Sequence, residues 1–196
     1  NPVMVAIVLT GGTLLLLGVD YDDYMVGGRY IAVLLGPATV ALALPLYYER
    51  RLVRQAAVPI LLGLVVGSAV SIVVAYTVTS GLGGDEALAL SMAPKSATTP
   101  VSIALAESFD GIPALTAVFT ILAGVLGAVA GPAVLSLLRF RDLRVRGLAI
   151  GASSHGIGTS RALEEHPTEG AFAGLAMGLN ALATAILLPL LLLVLR

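Results

Sequence analysis

The stretch Ala57-Val58-Pro59-Ile60-Leu61-Leu62-Gly63-Leu64-Val65-Val66-Gly67-Ser68-Ala69-Val70-Ser71-Ile72-Val73-Val74-Ala75-Tyr76-Thr77-Val78-Thr79-Ser80 contains no charged residue and sits inside an uncharged run from Gln55 to Gly84. A helix needs about 20 apolar residues to cross a hydrocarbon core of about 30 Å, so this run is long enough to span a bilayer. Two further runs, Gly111 to Leu138 and Gly170 to Leu195, are of the same kind, and Val3 to Val19 and Ile31 to Tyr48 are shorter versions. The stretch Leu187-Leu188-Pro189-Leu190-Leu191-Leu192-Leu193 lacks the polar and apolar alternation of a barrel strand, so the spans are helices.

The whole chain agrees. Of 196 residues, 58% are hydrophobic and 12% charged, with mean hydropathy +0.99, against about 25% charge in a soluble domain. The chain reads as one all-α polytopic transmembrane domain over residues 1–196. There is no cysteine to form a disulfide or bind a metal, and 11 basic against 12 acidic residues include no basic block that would track a phosphate backbone. The expected partner is the lipid bilayer, with no nucleic acid. The chain opens on Asn1-Pro2 without a methionine, and a preceding N-terminal helix is expected.

Short cytoplasmic loops carry the excess of Lys and Arg. That rule puts Arg50, Arg51, Arg54, Arg139, Arg141, Arg144, Arg146 and Arg196 inside. By alternation Asp20, Asp22, Asp23, Asp85, Glu86, Glu164, Glu165 and Glu169 fall outside. Spans are expected at Val3–Val19, Ile31–Tyr48, Ala57–Ser80, Pro113–Leu138, Gly147–Glu164 and Gly170–Leu195. The segment 87–108 then starts and ends on the outer side. Its two arms flank Pro94-Lys95-Ser96-Ala97-Thr98-Thr99-Pro100, and Pro100 restrains the residue before it away from helix. A re-entrant hairpin or a broken helix is expected there.

A shift of 115 positions lays Val3–Val19 on Val118–Val134, Gly36–Glu49 on Gly151–Glu164 and Ala56–Ser80 on Ala171–Leu195. Under the charge rule each pair runs in opposite senses, which is the pattern of inverted-topology repeats in secondary transporters. The repeats extend over about 3–80 and 87–195. In the second pair, Leu35-Gly36-Pro37-Ala38-Thr39, with Pro45 beyond it, faces Gly151-Ala152-Ser153-Ser154-His155-Gly156-Ile157-Gly158-Thr159. Each helix glycine costs about 1 kcal/mol against alanine, so both helices are expected to break, the second near His155. Matched breaks are a pointer to a midplane substrate site, and half-helix N-termini suit a carboxylate.

The stretches Ala93-Pro94-Lys95-Ser96-Ala97-Thr98-Thr99-Pro100, Gly111-Ile112-Pro113-Ala114-Leu115-Thr116-Ala117-Val118 and Arg146-Gly147-Leu148-Ala149-Ile150-Gly151-Ala152-Ser153-Ser154-His155-Gly156-Ile157-Gly158-Thr159 resemble the LrgB/CidB family. So do Leu34-Leu35-Gly36-Pro37-Ala38-Thr39-Val40-Ala41-Leu42 and Glu169-Gly170-Ala171-Phe172. The likeness implies a carrier of small monocarboxylates of the glycolate, glycerate and pyruvate class, and the repeat symmetry with its paired breaks points to alternating access by an elevator-like homodimer. The likeness equally carries the family's first description, a holin/antiholin-like regulator of murein hydrolase export and lysis. It also implies a small LrgA/CidA-like membrane partner, and a bacterial inner membrane or plastid inner envelope as location.

Lys95 is the single lysine. An ammonium at membrane depth needs a counter-charge. That counter-charge is the substrate carboxylate or Glu107, unless Lys95 snorkels outward. Ser96, Thr98 and Thr99 add hydroxyls at one break, and Thr39, Ser153, Ser154, His155, Gly156 and Thr159 line the other two. No cofactor is expected beyond a coupling ion, H⁺ through His155 or Glu107, or Na⁺. Arg161 is placed to pair with Glu165 at i,i+4, and Asn180 is interhelical glue or a site residue. No catalytic signature is present: Ser153 and Ser154 adjoin His155 on one helix without facing it, and no metal ligand set is visible.

Overall fold

A computed structural model describes residues 2–34, 37 and 47–196. Among the described residues the regular structure is helical, and the chain divides into two compact units, 1–44 and 45–196. In the first unit α1 (Pro2–Leu17) is apolar on all sides, and α2 (Tyr21–Ala32) begins with Asp22 and Asp23 and ends near Arg29, charges that suit the helix dipole at each end. Most of the expected span Ile31–Tyr48, with Gly36, Thr39 and Pro45, lies outside the described residues.

The second unit carries α3 (Arg50–Gln55), α4 (Ala57–Gly81), α5 (Glu86–Met92), α6 (Thr99–Ser108), α7 (Pro113–Leu137), α8 (Leu143–Glu165) and α9 (Pro167–Leu195). The helices α4, α7 and α9 are long and apolar enough to cross a membrane. Their outward residues, such as Leu61, Leu62, Leu126 and Leu193, are exposed leucines, as on the lipid-facing side of a span.

α5 and α6 form the hairpin expected at 87–108. Tyr76 and Ile72 of α4 share a core cluster with Ala89, Leu90 and Ala93, so α5 descends antiparallel to α4. The chain turns through Ala93–Thr98, and Ser102 Oγ donates to the Pro94 carbonyl (2.7 Å), closing the turn. The two outer ends meet at Arg196, which reaches Glu86 (2.8 Å) and the Phe109 carbonyl (3.2 Å). The segment therefore leaves on the side where it entered.

α8 is a second hairpin, and here the structure corrects the sequence reading. Its helix is interrupted at His155 (φ 39°, ψ −132°). The return arm packs on the first arm: Ala162 shares a core cluster with Ile150, and Glu165 comes back to Arg146 (3.8 Å). Residues 147–164 do not cross. Glu164, Glu165 and Glu169 lie at the same end as Arg144 and Arg146, not opposite them. The charge rule miscounted because it treated an apolar, glycine-broken segment as one crossing.

Losing that crossing reverses α9. Ile60 and Leu64 pack with Phe172 and Ala176, Ser68 bonds Asn180, and Ile72 and Tyr76 pack with Leu188 and Leu192. Contacts that advance together along both chains mean that α4 and α9 run parallel. The third pair of the 115-residue repeat is therefore not inverted, and Arg196 lies at the acidic end beside Glu86 rather than inside. Among the described residues of this unit, Arg196 is then the one arginine at that end. The arginine asymmetry that sets orientation is unchanged by the correction, because Arg161, paired with Glu165, comes to the basic end as Arg196 leaves it.

Candidate functional site

The two hairpins enter from opposite ends and their tips meet at α9. Asn180 is 2% exposed. Its Nδ2 donates to the Ser96 carbonyl (2.9 Å) at the first tip and to the Ala152 carbonyl (3.0 Å) at the second, while its Oδ1 accepts from Ser68 Oγ on α4. The Ser96 carbonyl is free for this bond because its helical partner four residues on is Pro100, which has no N–H. Ala152 stands just ahead of the break at His155.

Against these tips lies a cavity of about 830 Å³. Its deep wall holds Lys95, Ser96, Ser71 and Asn180, and Ser153 lies on the second hairpin. At the other extreme it reaches exposed Gln55 and Asp142 and part-exposed Arg144 at the basic end. Pro59, Gly63, Gly67 and Ser71 are four residues apart along α4, so they share one face, and open space lies over Gly63 and Gly67. Polar groups are few and convergent in a mostly apolar wall, as in small-ligand sites.

Lys95 is half-buried and has no ion pair among the described residues. The neighbouring Ser96 Oγ is buried without a hydrogen-bond partner. A free cation beside a free hydroxyl, walled by small residues, is an arrangement that accepts a small carboxylate. Glu107 is exposed near the outer end of α6 and does not pair with Lys95.

The remaining expected residues are placed differently. Thr98 and Thr99 open α6 and are half-buried. Ser153 Oγ donates to the Ala149 carbonyl (2.8 Å). Ser154 is fully buried, with its hydroxyl beside Gly127 of α7. His155 Nε2 lies 2.8 Å from the Thr120 carbonyl, an acceptor, so Nε2 carries the proton and donates. Thr159 bonds the His155 carbonyl (2.8 Å), and Gly156 lies beside Met177. Thus Lys95, Ser96 and Ser153 come together on the cavity wall, whereas Ser154, His155, Gly156 and Thr159 pack the hairpin against its neighbours. Thr39 lies outside the described residues.

At the mouth, Arg144 clasps Asp142 (2.6 Å). The guanidinium's hydrogen bonds hold the Asp142 carboxyl down to about 2 from an ordinary 3.8. Arg161 pairs with Glu165 (2.8 Å) as expected, and His166 is exposed and caps α9 by accepting from the Thr168 N–H. Among the described residues no three His, Asp or Glu side chains gather as a metal site requires. Sequence reasoning missed Ser68, Ser71 and the mouth pair. The four-residue spacing of Pro59, Gly63, Gly67 and Ser71 was the available signal for the face of α4.

Spans and two opposed hairpins with a cavity at their tips define a polytopic membrane protein. Residues 1–194 match the LrgB-like family, and the chain belongs to it. It is 42% identical over 163 residues to an uncharacterized protein, YxaC, of Bacillus subtilis (strain 168), covering 83% of this chain and 71% of that one. To YwbG of the same strain, also uncharacterized, it is 38% identical, covering 98% and 85%. To the antiholin-like protein LrgB of Bacillus mycoides (strain KBAB4) it is 34% identical, covering 97% and 83%. No solved structure matches the chain.

Proposed function

We propose that this protein is a secondary carrier of small monocarboxylates, of the glycolate, glycerate and pyruvate class, in a bacterial inner membrane. The observation that carries the reading is the cavity ending on Lys95 and Ser96 Oγ, both without a partner among the described residues, at the meeting point of two hairpin tips. Alternating access is supported by a span and a hairpin occurring twice in opposite senses. α4 and α7 start 56 positions apart (Ala57, Pro113), and the hairpin caps Asp85 and Asp142 stand 57 apart. This is an inverted repeat of a different period from the 115-residue one, and it fits an elevator-like motion. A homodimer and a small LrgA-like partner belong to the same reading. The coupling ion is H⁺ or Na⁺.

The second reading, a holin/antiholin-like regulator of lysis, is favoured by the names of relatives: several at about one-third identity are called antiholin-like. Uptake of labelled glycolate, glycerate and pyruvate into liposomes separates the two. The carrier gives saturable, mutually competing uptake. Lys95→Ala lowers it by about 10- to 100-fold, as loss of a charge-assisted hydrogen bond of about 1.5–3 kcal/mol requires. His155→Ala lowers it less, because His155 faces α7. Non-saturable leak indifferent to Lys95→Ala means the regulator.

A further inference from the structure

Asn180 has no donor left for a substrate carboxylate in this conformation. An asparagine amide offers two N–H donors and a carbonyl oxygen with two lone pairs. Both donors are taken by Ser96 and Ala152, and Ser68 Oγ occupies the carbonyl. The two donors go to different hairpins, which enter from opposite ends of the unit and touch the same nitrogen at the deep wall of the cavity. Neither hairpin tip can leave α9 without breaking one of these bonds. Buried networks of this kind, fully satisfied, hold a single arrangement rigidly.

We propose that Asn180 is a positioning residue, a latch that ties the two hairpin tips together and keeps Lys95 closed to the acidic end while the cavity faces the basic end. This rests on the carrier reading in one respect, that the hairpins are its moving parts. The hairpin that releases is the first, 86–108. Its base is held by the exposed Arg196 contacts, whereas that of α8 is held by part-buried Arg146 on the buried Glu169. Losing the Ser96 bond therefore frees the more weakly held of the two tips. The sequence alone marks the donor: Asn180 is the one amide side chain within 170–195.

The chain has no cysteine, so Lys95→Cys supplies a unique thiol at the first tip. Its labelling by a membrane-impermeant thiol reagent is measured in right-side-out and inverted vesicles. With Asn180 present, labelling is expected to be fast from the basic face and slow from the other. Adding Asn180→Leu, which keeps the branching at Cγ and removes the donors, is expected to speed labelling from the acidic face by about tenfold, the effect of losing one net hydrogen bond. Ser68→Ala, which spares both tip bonds, leaves the rates unchanged. Asn180→Asp, nearly isosteric, repeats the test should the leucine variant fold poorly.

Equal labelling from both faces with Asn180 present overturns the latch, and so do unchanged rates in a folded Asn180→Leu or Asn180→Asp protein. Failure of both variants to fold does so too, because a latch leaves the spans inserted when it opens. Monocarboxylate uptake is measured separately in the Lys95 background. Absence of uptake alongside the expected labelling shift overturns the carrier reading and leaves the latch standing. Uptake with no labelling shift overturns the latch alone.

Discussion

The hairpin 86–108 and the hairpin of α8 both start on an aspartate whose carboxylate accepts a backbone N–H, from Leu88 (2.8 Å) and from Arg144 (2.9 Å). Their bases are secured by different chemistry. At the first, Arg196 joins Glu86 and the Phe109 carbonyl with side chains 41% and 59% exposed. At the second, Arg146 meets Glu169 (3.4 Å) and Glu165 (3.8 Å), and donates to Ser136 Oγ and the Phe140 carbonyl, with Glu169 almost fully buried. An exposed pair is worth little, whereas breaking a buried one strands a charge in a low-dielectric site. The second hairpin is thus fixed to α9 and to the end of α7 by buried charge, and the first is held by packing on α4, α7 and α9 and by the tip.

The largest expected effect follows from that contrast. Arg146→Ala leaves Glu169 buried without its cation, at a cost of about 3–5 kcal/mol, read as the loss of folded protein on thermal or denaturant unfolding in detergent. Glu169→Gln, which removes the stranded charge, costs less. If Arg146→Ala unfolds like the parent, the second hairpin is not the anchored one and the contrast between the two collapses.

Backbone packing sharpens the same contrast. Gly147 and Gly151 lie where a Cβ would land on the backbone of α9, at Glu169 and Ala173. Gly151→Ala forces the first arm of α8 away from α9 and is expected to cost about 1–3 kcal/mol, the range for overpacking a tight contact. The check is the unfolding midpoint against Gly63→Ala, which opens onto the cavity and is expected to stabilise by about 0.5–1 kcal/mol, the helix-propensity gain alone. Equal losses at Gly63 and Gly151 would mean that α8 does not rest on α9 at those positions.

How far this was legible in the sequence depends on whether local chemistry or long-range pairing decided the element. The three long spans followed from uninterrupted apolar length. The first hairpin followed from Pro94, Pro100 and the short arms around Lys95, and the break at His155 from glycine density. What the break does was not legible. A glycine-broken helix that kinks onward and one that doubles back have the same composition, and only contacts such as Ile150 with Ala162 distinguish them. One misjudged crossing then carried through to the direction of α9, the side of Arg196 and the sense of the 115-residue repeat. The same limit applies to the site. Lys95 stood out as the single lysine, while Ser154, His155 and Thr159 were grouped with it because they flank the glycine-rich break, although the helix turns them toward α7 and into their own hairpin.

The smallest expected effect is at the base of the first hairpin. Arg196 is exposed, its contact with Glu86 is open to water and ions, and its hydrogen bond to the Phe109 carbonyl replaces one that water supplies. Arg196→Ala should therefore change stability by no more than about 1 kcal/mol, and the change should shrink further in high salt. The two arms stay together without it because Leu105 and Phe109 pack on the cluster of Ile72, Tyr76 and Leu188, and because the Ile112 N–H donates to Ser91 Oγ. The informative readout is accessibility rather than stability. If the first hairpin is the moving one, Arg196→Ala speeds labelling of Lys95→Cys from the acidic face by a few-fold at most, a fraction of the Asn180→Leu effect, since it loosens the base while the tip stays tied. An Arg196→Ala effect as large as that of Asn180→Leu would place the restraint at the base and make the two hairpins alike in how they are held.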